Sequence, residues 1–551
     1  MDSNSSQHSL QPVGMSQPSS SKPSPKPAAE ETVINIVDSD TVAVAPLETP
    51  EGLDTNAFSP LTAFGLAFSV INSWVVLVVG LGSGLISGGP SALVWGFVYA
   101  SICNLATVLS HGEIFAVYPS AAGQYHWAAA LSPPKWRNLI SWITGMLNVI
   151  GLWLGAATAG YLATTLLLAL ITVNSPDSTF TAGQQYGIFA AIMFFGPAVT
   201  LCLGTRGNRL LDQGLMVASV ICVVAIVISL PATADSKASA SFVFGGIENL
   251  TGWNSMVIAW LLGLLQSAFA YLGFDVIYHI SEEMPNPKKD GPKAVLWTII
   301  ISALSGMAVL LAMLFCITDV DHVMSTPYIL PFAQICMDTT KSRAAATIFL
   351  LIPSILFMNS VRGITLTGSR VLMALGRDKV LPYPDIWTIT FRGEPVYGLA
   401  LCVFVPLVCG LIQLGSTATF NSLTGAATIV FEISYAIPAA LMLMGGRRKL
   451  NLAATNRSSN LGRWGIPCNL VAVFFVLQSC VIYCFPATMP VTASSMSYVV
   501  VFVGGFAMIL AILWSTWANK RYHAPSESMI LSLCDNKSSH AGVIENDETE
   551  I

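Results

Sequence analysis

Residues 269–295 read FAYLGFDVIYHISEEMPNPKKDGPKAV. The first seven set a glycine, Gly273, and a carboxylate, Asp275, inside an apolar run that begins near residue 255. Glycine weakens a helix at that point, and a charge is costly at hydrocarbon depth. A second apolar run, 61–83, is interrupted by the polar stretch Ser69-Val70-Ile71-Asn72-Ser73-Trp74. An unwound spanning helix exposes backbone N–H and C=O groups, and transporters bind substrate at such breaks. Small and polar residues also pack helices closely, which is the alternative at either position alone. The two interrupted runs are the first and the sixth along the chain, as inverted five-helix repeats require. Together they read as a binding site.

The rest of the chain supplies the frame. Of 551 residues, 54% are hydrophobic and 10% are charged. A soluble domain carries about 25% charged residues. An ordinary soluble enzyme, a disordered protein and a nucleic-acid binder are excluded on that ground. Twelve apolar segments follow one another: 61–83, 91–117, 138–170, 185–204, 211–231, 255–280, 294–316, 344–375, 397–414, 420–444, 467–487 and 497–517. Each is long enough to span a bilayer or nearly so. Residues 1–56 are a Ser/Pro-rich and then acidic stretch read as a disordered tail, 57–517 as the membrane domain and 518–551 as a second polar tail. The 11 cysteines form no metal-type CxxC pair, and most lie in apolar runs, so no disulfide framework, metal or cofactor is expected.

Loop charges set the orientation. With the N-terminus inside, the inner loops hold 16 Lys and Arg and the outer loops hold 3. That is the positive-inside pattern, and it places both tails in the cytoplasm. The plasma membrane is the expected location, with the vacuolar membrane as the alternative. The sequon Asn249-Leu250-Thr251 falls in an outer loop and marks Asn249 as a glycosylation candidate. The chain has no HExxH, GxSxG, paired-Asp motif or Walker loop, which leaves secondary transport rather than an enzyme or a phosphate-driven pump. The breaks, and the lack of a filter-like repeat, argue against a channel.

Four stretches carry a family resemblance: SGGPSALVWGFV at 87–98, GEIFAVYPSAAGQYHWAAAL at 112–131, the 269–295 stretch, and SRVLMALGRDKVLP at 369–382. With them the chain resembles the amino acid–polyamine–organocation superfamily, in particular its fungal amino acid/choline transporter branch, over residues 57–520. The resemblance implies an all-α fold of the leucine-transporter type. Repeat one would cover 61–231, repeat two 255–444, and two extra helices 467–517. It implies substrate bound at the broken helices by Ser69, Val70, Ile71, Asn72, Ser73 and Trp74, and by Phe269, Ala270, Tyr271, Leu272, Gly273 and Phe274, followed by alternating access. The first break departs from the family's Gly-rich form. Here Gly80, Gly82 and Gly84 come one to two turns later, where close packing or the tight link to the second helix is their expected role.

Charges inside the membrane default to function. Glu113, Asp275, Arg362 and Glu432 are the candidates for coupling. Glu113 and Asp275 are candidate proton carriers, because removal from water favours the neutral carboxyl; a gating or structural role is open for Glu113. No Lys lies between 212 and 231, so the proton mechanism of members with a lysine on helix five does not transfer residue by residue. Arg362 could stand in for a coupling ion, clamp a substrate carboxylate, or pair with Glu432, Asp275 or Glu113. Glu282, Glu283, Lys288, Lys289, Arg370, Arg377 and Asp378 form a candidate inner gate or, alternatively, water-exposed topology charges. Trp74, Trp260, Phe269, Tyr271 and Phe274 suit a cationic amine through cation–π attraction, with packing as the alternative. The expected substrate is therefore an amino acid, 4-aminobutyrate, choline or a related amine. A specialised metabolite such as a small alkaloid from a biosynthetic gene cluster, and a non-transporting nutrient sensor, are the alternatives.

Overall fold

The computed structural model describes residues 59–411, 417–454, 457–492 and 495–532. The expected N-terminal tail lies outside the described residues. Twelve helical spans follow in order: α1 (Pro60–Ile71 and Ser73–Ile86), α2 (Gly89–Phe115), α3 (Arg137–Asn174), α4 (Ala182–Gly204), α5 (Arg206–Thr233), α6 (Met256–Phe269 with Val276–His279), α7 (Pro287–Phe315), α8 (Arg343–Arg377), α9 (Val396–Leu411), α10 (Thr417–Leu441, continuing to Ala453), α11 (Gly465–Ile482) and α12 (Val499–Leu513, continuing to Arg521). Ten are long and apolar enough to cross a membrane; α6 and α9 are shorter apolar helices. The α6 shortfall is the break itself.

Local chemistry explains the first break. Ser59 caps α1 by accepting from Thr62 N at 3.3 Å, and Pro60 sits at the first helical position, where its missing N–H costs nothing. The helix ends at Asn72, which adopts φ 41° and ψ 48°. Asparagine tolerates this left-handed geometry better than any other non-glycine residue. Its N–H closes the first half on Phe68 O at 3.1 Å, and its carbonyl opens the second half by accepting from Val75 N at 2.9 Å. In α6 the second break runs from Ala270 to Asp275, with Gly273 at φ 92°. A Cβ at Gly273 would lie 3.1 Å from Val70 Cγ1, so the two breaks pack into one another.

The helices form two packed sets. One joins α1, α2, α6 and α7; the other centres on α3 and α8, with α9 and α10 against α3 and with α4 and α5 against α8. Between α4 and α5 the chain turns at Gly204, whose φ of 62° kinks an otherwise continuous helix. Residues 518–532, the described part of the expected polar tail, pack onto the bundle. Tyr522 and Ile530 are fully buried, Tyr522 OH meets Ser141 Oγ at 2.8 Å, and Glu527 accepts from Tyr118 OH at 2.7 Å. Apolar side chains at 522 and 530, spaced among polar ones, give this stretch something to bury. Two further helices that lie outside the apolar segments are Gln124–Leu131, after α2, and Pro331–Thr340, before α8.

Candidate functional site

The two breaks meet directly. Ser73 Oγ donates to Ala270 O at 2.5 Å, which ties the start of the second half of α1 to the end of the first half of α6. All twelve residues expected to bind substrate, 69–74 and 269–274, are buried. Tyr271 stacks on Phe97 of α2 with centroids 5.3 Å apart, and its hydroxyl lies 2.5 Å from Ser101 Oγ. Phe274 faces Tyr435 of α10 at 4.5 Å. Trp74 Nε1 donates to Ser219 Oγ of α5 at 2.9 Å. The site is a closely packed aromatic cluster whose polar groups are backbone carbonyl, hydroxyl and amide. Trp260 stands apart from it: its backbone packs on Gly88, at the α1–α2 junction. Gly80 and Gly84 do serve close packing, since a Cβ would lie 2.6 Å from Gln266 Cγ and 2.2 Å from Leu93 Cδ2 respectively.

Asp275 sits at the lower edge of the second break. Its carboxylate accepts from Asn148 Nδ2 of α3 at 2.7 Å, from Gln124 Nε2 at 3.0 Å and from Tyr435 OH at 2.8 Å; His279 Nε2 is 3.5 Å away. Tyr435 OH also accepts from Gly273 N at 3.3 Å. One carboxylate thus gathers four elements around the α6 break. His279, to which sequence reading gave no role, is oriented by Nδ1–H donating to Ala121 O at 2.8 Å.

Arg362 lies on α8, and its partner is Asp212 on α5 rather than Glu432, Asp275 or Glu113. Both side chains are buried. Asn359 braces the pair, accepting from Arg362 Nε at 2.7 Å and donating to Asp212 Oδ1 at 2.9 Å. Ser69 Oγ of the first break donates to the same oxygen at 3.3 Å. Next to it, Ser360 Oγ donates to Ser69 O at 2.9 Å, and Asn72 Nδ2 donates to Ser360 Oγ at 3.1 Å and to Ser69 O. The end of the first half of α1 therefore rests on a buried ion pair between α5 and α8. Asp212 escaped sequence reading because it stands beside Arg209 at the edge of an apolar run starting near 211, whereas α5 begins at Arg206.

Apart from Glu432, the remaining candidate charges occupy the end of the bundle that carries most Lys and Arg. Glu113, at the end of α2, is fully buried and held by Arg447 Nη2 at 2.7 Å, Arg457 Nη2 at 3.3 Å and Leu461 N at 2.7 Å. This makes it a junction between α2 and the α10–α11 connection. Arg370 of α8 pairs with Glu283 at 2.5 Å and with Glu394 at 3.5 Å; Arg377 pairs with Glu282 at 3.4 Å. Lys288 lends its backbone carbonyl to the Ser458 hydroxyl. Asp378 leaves that set and binds the helix Gln124–Leu131, accepting from His126 Nε2 at 2.7 Å and Tyr125 OH at 2.8 Å. Burial alone would raise the Asp378 carboxyl; the His126 imidazole, the Tyr125 hydroxyl and Arg377 outweigh it and hold the group below its ordinary value. Glu432, midway along α10, is buried against α2 and α11.

At the opposite end, the Asn249 side chain is built into a turn. Nδ2 donates to Trp253 O at 2.7 Å, and Oδ1 accepts from Thr251 N at 3.1 Å and Thr251 Oγ1 at 2.5 Å.

Two broken helices facing each other inside a twelve-helix bundle define a multi-pass membrane transporter of the alternating-access kind. The chain belongs to the amino acid permease family, whose sequence profile matches residues 58–506. It is 31% identical over 476 residues to the transmembrane transporter swnT of Metarhizium robertsii, covering 84% of this chain and 92% of that one. It is 29% identical to the swainsonine transporter swnT of Arthroderma benhamiae (85% and 92% covered) and 26% identical to the choline transporter of Saccharomyces cerevisiae (86% and 83%). Its fold is similar to that of MhsT, solved with L-phenylalanine, at a TM-score of 0.53 and 14% identity over 77% of this chain and 97% of that one.

Proposed function

We propose that the chain moves a small amine-bearing solute, such as an amino acid, 4-aminobutyrate or choline, through the space between the two breaks. One observation carries this reading. The C-terminal ends of two half-helices, at Asn72 and Ala270, converge among Trp74, Tyr271 and Phe274, and the twelve residues of the breaks include no Lys or Arg. Helix C-termini carry partial negative charge, and ring faces attract cations. An ammonium group is the complement of both. A carboxylate on the same solute would find the N-terminal end of the second half of α1, at Ser73 and Trp74. In this reading Asp212–Arg362 occupies the place of a coupling ion, fixing α1 against α5 and α8. The pairs at Arg370, Arg377 and Asp378 are the closed inner gate, which has to open for release on that side.

The basic end faces the cytoplasm in this reading, with both termini there and the protein in the plasma membrane. Asn249 is then on the outer side, and its amide has to leave Trp253 before an oligosaccharide can be attached. Transport of a specialised metabolite such as a small alkaloid is the second reading, favoured by the swnT relatives.

The test is radiolabelled uptake into permease-deficient yeast, with choline, 4-aminobutyrate, proline, lysine, putrescine and swainsonine as the panel. Uptake of one compound, lost in Tyr271→Ala and Asn72→Ala, is the expected result. If none accumulates although the protein reaches the cell surface, import is overturned, and export or sensing takes its place.

A further inference from the structure

Glu432 differs from every other acid at membrane depth in this protein. The residue is 3% exposed, and among the described residues it has no ion-pair or amide partner; the one donor turned toward its carboxyl is the neutral Ser479 hydroxyl of α11. The groups that face it are Tyr99 and Cys103 from α2, and Ser479, Cys480 and Tyr483 from α11. All of them are neutral. Tyr99 OH is committed to Gln478 Oε1 at 2.6 Å. Gln478 Nε2 and the Ser479 and Tyr483 hydroxyls are buried in the same place, and all three are neutral. Other elements packed on α10 direct their titratable groups elsewhere: Tyr125 and His126 to Asp378, and Asp275 to the α6 break.

A carboxylate ion buried with no cation and only neutral hydroxyl and thiol groups around it is not sustainable, so the group carries its proton in this arrangement. We propose that Glu432 is the proton-binding site that couples solute movement to proton movement, housed at the α2–α10–α11 interface. This rests on the transport reading above. The step is a plain acid dissociation: the carboxyl O–H bond breaks, the proton passes to water on the open side, and the electron pair stays on oxygen.

The geometry also links the site to the helix breaks. Three residues along α10, Tyr435 binds both Gly273 N and Asp275. On α2, Tyr99 lies between Phe97 and Ser101, the two residues that hold the Tyr271 ring and hydroxyl. The helix that carries Glu432 and the α2 helix beside it therefore both also hold the α6 break. A charge created between them has to be solvated, which separates α2, α10 and α11 and slackens Tyr435 and Ser101 on the break.

The test compares wild type with Glu432→Gln, which is permanently neutral, and Glu432→Asp, which keeps an acid, in two measurements. The first uses the six-compound uptake panel, with and without a protonophore, together with counterflow exchange of any compound moved. Wild-type accumulation should rise about tenfold per unit of imposed pH gradient, the ratio one proton supplies. Glu432→Gln should lose this gradient-driven accumulation yet keep counterflow within about threefold, a change under 1 kcal/mol; Glu432→Asp should keep both. Glu432→Gln accumulation that still follows the gradient and collapses with the protonophore overturns the proposal. So does loss of counterflow in both variants. The second measurement is the infrared spectrum of the purified full chain. A protonated-carboxyl band should be absent in Glu432→Gln and displaced in Glu432→Asp; identical spectra overturn the site. Infrared needs no substrate, so a panel that moves nothing counts against the solute reading while this measurement still decides the proton site.

Discussion

Less than one turn of α10 separates two very different acidic environments. Asp275, reached by Tyr435, accepts three hydrogen bonds and has His279 nearby, whereas Glu432, three residues before Tyr435, has only the neutral Ser479 hydroxyl turned toward it. Both are buried, both are carboxyls, and both lie in apolar runs. What separates them is the set of partners that the fold brings. A carboxylate supplied with donors is a fixed part of the scaffold, because moving its charge breaks every bond it accepts. A carboxyl with one neutral hydroxyl beside it is held mainly by packing and can exchange its proton at little structural cost. Asp212 falls on the first side of this divide: Arg362, Asn359 and Ser69 all point at one of its oxygens.

Substitutions can break this contrast or sharpen it, and the largest effect belongs to the paired side. Arg362→Ala strands Asp212 as an uncompensated buried charge, which costs about 3–5 kcal/mol. The thermal unfolding midpoint of the purified protein should drop sharply, and Arg362→Ala with Asp212→Ala together should recover part of the loss. A double-variant loss equal to the sum of the two single-variant losses would show that the pair is not coupled.

Asp275→Asn comes next. It replaces an acceptor of charge-assisted hydrogen bonds by an amide that faces the donors of Asn148, Gln124 and Tyr435, at about 1.5–3 kcal/mol. The same thermal measurement checks it. Uptake should fail as well, since the α6 break loses its anchor.

Tyr271→Leu, which keeps an apolar side chain in this fully buried position, should leave stability closer to wild type than truncation to Ala and act on transport. Removing the ring forfeits a desolvated cation–π contact of about 2 kcal/mol, so the apparent affinity for a transported amine should weaken by more than tenfold. Concentration-dependent uptake reads this directly. The smallest effect on stability is expected for Glu432→Gln, within about 1 kcal/mol, because no ion pair is removed and the Gln side-chain oxygen can still accept from Ser479. A fall as large as that of Asp275→Asn would erase the distinction between the two acids.

Much of the fold was legible along the chain. The twelve apolar segments, the breaks at 69–74 and 269–274 and the five-helix spacing between them follow from hydropathy, from Asn72 and from Gly273. Those signals are local. An apolar run has to span, and a residue in left-handed geometry has to interrupt a helix wherever it sits. The helices Gln124–Leu131 and Pro331–Thr340 were not legible, because neither lies in a run long enough to span. The packing of 518–532 was missed for a similar reason: two or three apolar residues in a polar stretch give no periodic signal. Asp212, Tyr435, Ser101 and Phe97 were also passed over. Each looks ordinary in its own segment and gains a role only from what it faces.

By itself, then, the sequence determined that this is a multi-pass membrane transporter, which helices are interrupted, and that the basic loops gather at one end, since burial in lipid and backbone geometry act residue by residue. Only the tertiary structure decided what each buried charge is for. Arg362 meets Asp212 across 150 residues, and Asp275 meets Asn148, Gln124 and Tyr435 across 127, 151 and 160, while Glu432 meets only the neutral Ser479 hydroxyl. Electrostatic energy depends on separation in space and on the donors at hand, and chain order encodes neither.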